Sequence, residues 1–205
     1  VWIFGCFAAL AVDSANAQTI HNASNATELE AALTAAASGD EILITGTITP
    51  SEQIVVSKAV TIKSSAPGSY RTINGAGVTG EPVFKVTAAA TLEYLTFQNA
   101  TSGAVEARNG NFIHCKFLSN NVGSGNGGAF SVPSGTVSVD WSTFSGNTAR
   151  DKGGAIYNKG NLTVNHSKFT GNSVTIYFGG AISNSGTLKL YNSELNSGNS
   201  APGGG

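Results

Sequence analysis

Few side chains in this 205-residue sequence could do chemistry, and the most suggestive of them are rings. His114, Trp141 and His166 fall 27 and 25 residues apart, and Asn192 continues the series 26 further on. An indole can serve a sugar as a stacking platform, and imidazoles can flank it with hydrogen bonds, so these residues describe a shallow surface-binding strip. The plainer reading, which we prefer, is an exposed sheet face of mixed polar residues, with Lys116, Thr143, Lys168 and Glu194 as the next outward column. Two histidines separated by two strand spacings, roughly 10 Å, are too distant to share a metal ion.

Carboxylates are sparse. Glycan hydrolysis needs two of them gathered at one spot. A calcium-dependent lyase needs an acidic cluster and a base to take the proton. Past residue 17 the only aspartates are Asp40, Asp140 and Asp151. Asp151 sits between Arg150 and Lys152 as a solvated charge cluster, and Glu93 and Glu106 stand alone. Cys115 aligns with serines and reads as a small packed residue rather than a nucleophile. Phosphate loops, serine-nucleophile elbows and zinc spacings are absent. From these residues we expect no catalytic residue, no metal ligand and no cofactor.

Charged residues make up 11% of the chain, against about 25% in an ordinary globular protein. The net charge of -1 argues against nucleic acid or an anionic membrane surface as partner. The chain lacks Met, so we expect it to be a piece of a longer protein.

What must position the sparse polar groups is a repeat. Gly127-Gly128, Gly153-Gly154 and Gly179-Gly180 lie 26 residues apart, each followed by Ala and an apolar residue. Each copy continues with a turn glycine, an apolar alternation and a large apolar residue (Phe144, Phe169, Leu195), and Asn147 and Asn172 follow the phenylalanines by three. A fixed period in the twenties marks a solenoid. Short strands alone would also suit a sandwich or barrel, but neither demands like residues in register every coil. A parallel β-helix does, stacking equivalent positions about 4.8 Å apart. Phe117, Phe144, Phe169 and Leu195 then form one interior column. Cys115, Ser142, Ser167 and Ser193 form a second, and Asn120, Asn147 and Asn172 a third in which amide can bridge to amide.

Three segments follow. Residues 1–17 read as a secretory signal peptide, with an apolar run from Trp2 to Val12 and an Ala-Asn-Ala site that places cleavage between Ala17 and Gln18. Residues 18–39 form an N-terminal cap with a short helix over Thr27–Ser38, opened by Thr27 and Glu30 and closed by Gly39. Residues 40–205 form the β-helix, with strands over Glu41–Thr45, Ile54–Val56, Val60–Lys63, Val83–Val86, Thr91–Phe97, Ala104–Ala107 and Asn111–Phe117 before the clear coils begin. The chain stops at Ala201–Gly205, where another glycine pair is due, so we expect a truncated C-terminus and further coils beyond it.

The paired signatures Gly-Gly-Ala-Ile and Phe-x-x-Asn, at Gly153–Ile156 with Phe169–Asn172 and Gly127–Phe130 with Phe144–Asn147, resemble those of the chlamydial polymorphic outer-membrane proteins. The entry into the first strand, Gly39 to Ile42, resembles the start of pectin-lyase-like β-helices. The resemblance implies an all-β fold, a right-handed single-stranded parallel β-helix with a short N-terminal capping helix. It also implies an exported passenger at the outer membrane or cell surface, linked to adhesion and held through a C-terminal barrel. The partner expected is a host-cell surface protein or a polysaccharide, with no nucleic acid and with membrane contact only through a missing C-terminal anchor or barrel. The alternative is a carbohydrate-active β-helix, a polysaccharide lyase or hydrolase, whose catalytic coils lie outside this stretch.

Overall fold

The computed structural model describes residues 17–203. The predicted signal peptide therefore lies outside the described residues, apart from Ala17, which with Gln18 is exposed coil.

Among the described residues every strand-to-strand pairing is parallel, and one isolated bridge, Ser102 to Val122, is antiparallel. The chain winds through three faces in turn. The first face holds eight strands: Ile20–Ala23, Glu41–Ile44, Thr61–Ser64, Thr91–Glu93, Asn109–Ile113, Thr136–Asp140, Asn161–Asn165 and Thr187–Tyr191. The second runs from Arg71–Asn74 through Leu95–Gln98, Lys116–Leu118, Thr143–Ser145 and Lys168–Thr170 to Glu194–Leu195. The third runs from Ile54–Val56 to Ile182–Asn184. A narrow three-stranded strip, from Asn121–Val122 to Ser173–Val174, lies between the second and third faces in the later coils. This is the parallel β-helix expected, with the right-handed winding that parallel crossovers take.

The alternation of each strand decides which side faces in. In Asn161–Asn165, Leu162 and Val164 are buried and their neighbours are not. Phe117, Phe144 and Phe169 pair across successive coils and stack at 4.6 and 4.7 Å between centroids, with ring planes 6° and 3° from parallel. Phe97 extends the column at 5.2 Å from Phe117. Offset stacking adds about 0.5–1.5 kcal/mol per pair beyond the area buried.

Helix α1 spans Ala26–Ala35, shorter at the C-terminal end than expected, and Asn25 rather than Thr27 opens it. The Asn25 side chain accepts from Glu28 N, and the Glu28 carboxylate accepts from Ser24 N and Ser24 Oγ, so the capping box runs Asn25-to-Glu28. Lys58 Nζ donates to the carbonyls of Leu33, Thr34 and Ala36, satisfying the far end. Leu29, Ala32 and Ala36 join the core. Two other expectations change. Thr91–Phe97 and Asn111–Phe117 are each two strands, because Tyr94 and His114 take left-handed backbone and turn the chain from the first face to the second. Ile20–Ala23 and Arg71–Asn74 are strands that bury only one residue each, Ala23 and Ile73, so no alternation announced them.

Candidate functional site

The ring residues sit on a corner, not on a sheet face. Tyr94, His114, Trp141, His166 and Asn192 each hold a positive φ, between 46° and 52°, at the bend between the first and second faces. Their side chains point out of the bend and pile up along the axis. Tyr94 and His114 stack at 4.7 Å, His114 and Trp141 at 6.1 Å, and Trp141 and His166 at 4.0 Å with 4° between planes. Tyr70 continues the row below, edge-on to Tyr94 at 5.9 Å, and Lys116 Nζ lies 3.7 Å from the Tyr70 ring centroid. Asn192 closes it above, with its amide donating to Asn165 Oδ1.

The indole is 53% exposed, yet one of its faces is taken by His166. Trp141 therefore offers a partner mainly its edge, and the stacking platform read from sequence is used within the protein. Tyr70 and Tyr94 were missed. Each stands three residues ahead of its coil's large apolar residue (Ile73, Phe97), as His114, Trp141 and His166 stand ahead of Phe117, Phe144 and Phe169, and that offset could have found them.

From His114 onward the residue directly after the corner is small and turned inward, whereas Tyr94 is followed by Leu95. Cys115 N donates to Ser142 Oγ, Ser142 N to Ser167 Oγ and Ser167 N to Ser193 Oγ, all at 3.0–3.1 Å. Cys115 itself is buried. Its Sγ donates to Leu92 O, and burial pushes its thiol pKa up to about 12, so it is no nucleophile.

A second left-handed corner turns the chain off the second face, at Asn99, Ser119, Gly146, Gly171 and Gly198. The inward asparagines follow it. Asn147 Nδ2 donates to Phe117 O and to Asn172 Oδ1 at 2.9 Å, while its own Oδ1 accepts from Asn120 N and Nδ2. Asn199 extends the row by accepting from Asn172 N and Nδ2. It was not read from sequence because one extra residue separates it from Leu195.

The glycine pairs mark the entry to the third face. Gly127, Gly153 and Gly179 take φ of 70°, 65° and 75°. Their partners Gly128, Gly154 and Gly180 lack that need, but a methyl on Gly154 would run into the Gly180 carbonyl and the Ser173 backbone.

Carboxylates stay scattered. Asp140 ends a first-face strand, while Asp151 lies in the bend before Gly153. Asp40 is fully engaged by Thr19 N, Ala37 N and His21 Nε2 at 2.8–3.1 Å, and these donors hold its pKa below the ordinary value. Among the described residues no three His, Cys, Asp or Glu side chains gather as metal ligands. No helix described here is long and apolar enough to cross a membrane.

Residues 142–159 match the model of the Chlamydia polymorphic membrane protein repeat. The match takes in Phe144, Asn147 and the pair Gly153-Gly154, one full passage from the second face to the third. Neither a curated protein nor a solved structure matches the chain. The repeat and the winding together make this chain a polymorphic-membrane-protein-like parallel β-helix.

Proposed function

We propose that the protein is a non-enzymatic, exported surface protein whose β-helix displays a repetitive binding face, in the manner of an autotransporter passenger or adhesin. The observation that carries this reading is the repeat match at residues 142–159, whose namesake proteins are membrane proteins of Chlamydia. The physical support is rigidity. Coils pinned by the phenylalanine, serine and asparagine columns hold outward side chains at fixed spacing, so little conformational entropy remains to be lost on binding.

The test is to express the gene in a Gram-negative host, label intact cells with an antibody against the β-helix, and coat beads with the purified chain to score attachment to epithelial cells. Surface labelling and attachment above uncoated beads are expected. Labelling only after lysis, or depolymerisation of pectin or alginate by the purified chain, would overturn the reading.

A further inference from the structure

We propose that the ring-lined corner and the lysines beside it form a binding ridge for an acidic polysaccharide, whose carboxylate or sulfate groups meet Lys116 and Lys168. This deepens the display reading and rests on it.

The rings are turned toward one another along the axis, at 4.7, 6.1 and 4.0 Å from Tyr94 to His166. A partner approaching from solvent therefore meets ring edges. The edge of an aromatic ring carries partial positive charge, the reverse of its face. The ring nitrogens of His114, Trp141 and His166 take no hydrogen-bond partner among the described residues, so their N–H groups are free to donate.

The flanks differ in charge. On the second face, Lys116, Thr143 and Lys168 lie in register on three successive coils, which sets the backbones of the two lysines about 10 Å apart along the axis, with the Lys116 ammonium resting over the Tyr70 ring in the free chain. The acid in that column is Glu194, in contact with Lys168 at 3.8 Å. Across the bend on the first face, the acids Glu41, Glu93 and Asp140 outnumber Lys63 and Lys189. An anionic chain is thus drawn to the second-face side of the ridge. Coils repeat at about 4.8 Å, close to the advance of one sugar ring in an extended glycan, so successive rings of the ligand can meet successive coils. Repetition adds avidity without any single strong contact.

The experiment measures binding of the whole chain to immobilised polygalacturonate, dextran sulfate and neutral dextran by biolayer interferometry. Expected is binding to one or both acidic polymers, weakening with salt, and none to neutral dextran. Preference between the two acidic polymers identifies carboxylate or sulfate as the group read. K116Q/K168Q should weaken binding on the order of tenfold. W141N/H166N should weaken it comparably, and it keeps a residue type that Asn192 already shows this corner accepts. E194Q should tighten binding by freeing Lys168, a gain that damage to the fold cannot produce. Equal binding to neutral dextran, no loss in K116Q/K168Q, or weaker binding in E194Q would each overturn the proposal. The same preparations are scored on coated beads. Beads that attach to cells while the chain ignores both acidic polymers sink this inference and leave the display reading standing. Beads that attach to nothing sink the display reading itself.

Discussion

Each coil that carries the repeat turns left-handed both onto the second face and off it, and these two corners are built from different residues. The turn off the face uses Asn99, Ser119, Gly146, Gly171 and Gly198. Apart from Ser119, these are the residues that reach positive φ at least cost. The turn onto the face uses Tyr94, His114, Trp141 and His166, and only at 192 an asparagine. A bulky residue in that region costs roughly 1–2 kcal/mol more than glycine would. Backbone geometry explains the first corner at every coil but that of Ser119. It does not explain the second, where the choice follows what side chains do once they point outward: stack on one another and present their edges.

Inside the two corners the architecture is shared. In the later coils, from Asn120 and Ser142 onward, a left-handed residue is followed by an inward polar one that accepts the N–H of its counterpart in the preceding coil. Load is unequal, however. Asn147 makes four hydrogen bonds through its amide, while Ser167 Oγ accepts from Ser142 N and donates to Asn165 O. Asn147→Leu strands the Asn120 N–H in the core and removes three further amide hydrogen bonds, so we expect a loss on the order of 4 kcal/mol in urea unfolding. Ser167→Ala should lose about 1–2 kcal/mol in the same measurement. Equal losses would break the distinction between a corner held by its amides and one held by lighter contacts.

The corner residues give finer tests. A methyl on Gly171 meets nothing within 4 Å, so Gly171→Ala reports backbone strain alone, about 1 kcal/mol. Gly171→Asn should be close to neutral. At the other corner, Trp141→Asn trades a stack worth about 0.5–1.5 kcal/mol for an easier backbone, and the melting curve should stay within about 1 kcal/mol of the parent. Trp141→Ala should be the worse of the two, since alanine loses the stack and keeps the strain. If Trp141→Asn unfolds the protein, the rings are there to hold the coil, and the case for a binding ridge weakens with it.

How much of this could be read in advance depended on repetition. The phenylalanine column and the glycine pairs recur in nearly constant spacing, and both the winding and the registry of Phe144 over Phe169 followed from them. His114, Trp141 and His166 aligned for the same reason. Their setting was misread because left-handed turns are normally announced by glycine or asparagine, and three rings announce nothing of the kind. Tyr70 and Tyr94 escaped because earlier coils differ in length, which blurs the period. Asn199 escaped through a single added residue. The helix start was displaced because Asn25-to-Glu28 and Thr27-to-Glu30 satisfy the same spacing rule, and only the tertiary contacts of Leu29 and Ala32 choose between them.

The smallest effect concerns a third instance of the same pattern, at the N-terminal end. Gly39 is left-handed at φ 100°, and the residue after it, Asp40, turns inward and accepts backbone N–H, here from Thr19 and Ala37, with His21 as a further donor. Because the inward acceptor is now a carboxylate, this corner, unlike the serine and asparagine corners, should respond to acid. Its donors, Thr19 N first, hold the folded-state pKa below the unfolded value near 3.9. The stabilisation is therefore complete above about pH 4 and is lost as the pH falls through the lower, folded-state value. Hydrogen exchange at residues 26–35 of α1 should speed up on going from pH 5 to pH 3, after correction for the intrinsic rate, while exchange in the strands around Phe144 should not. The Glu28 carboxylate, its pKa held low by Ser24 N and Oγ, titrates at the other end of the same helix, so the comparison is made in a Glu28→Gln background. There Asp40→Asn should abolish the remaining acid step, and an acid step that persists in the double variant would move the titrating group elsewhere and leave Asp40 as simply another inward acceptor.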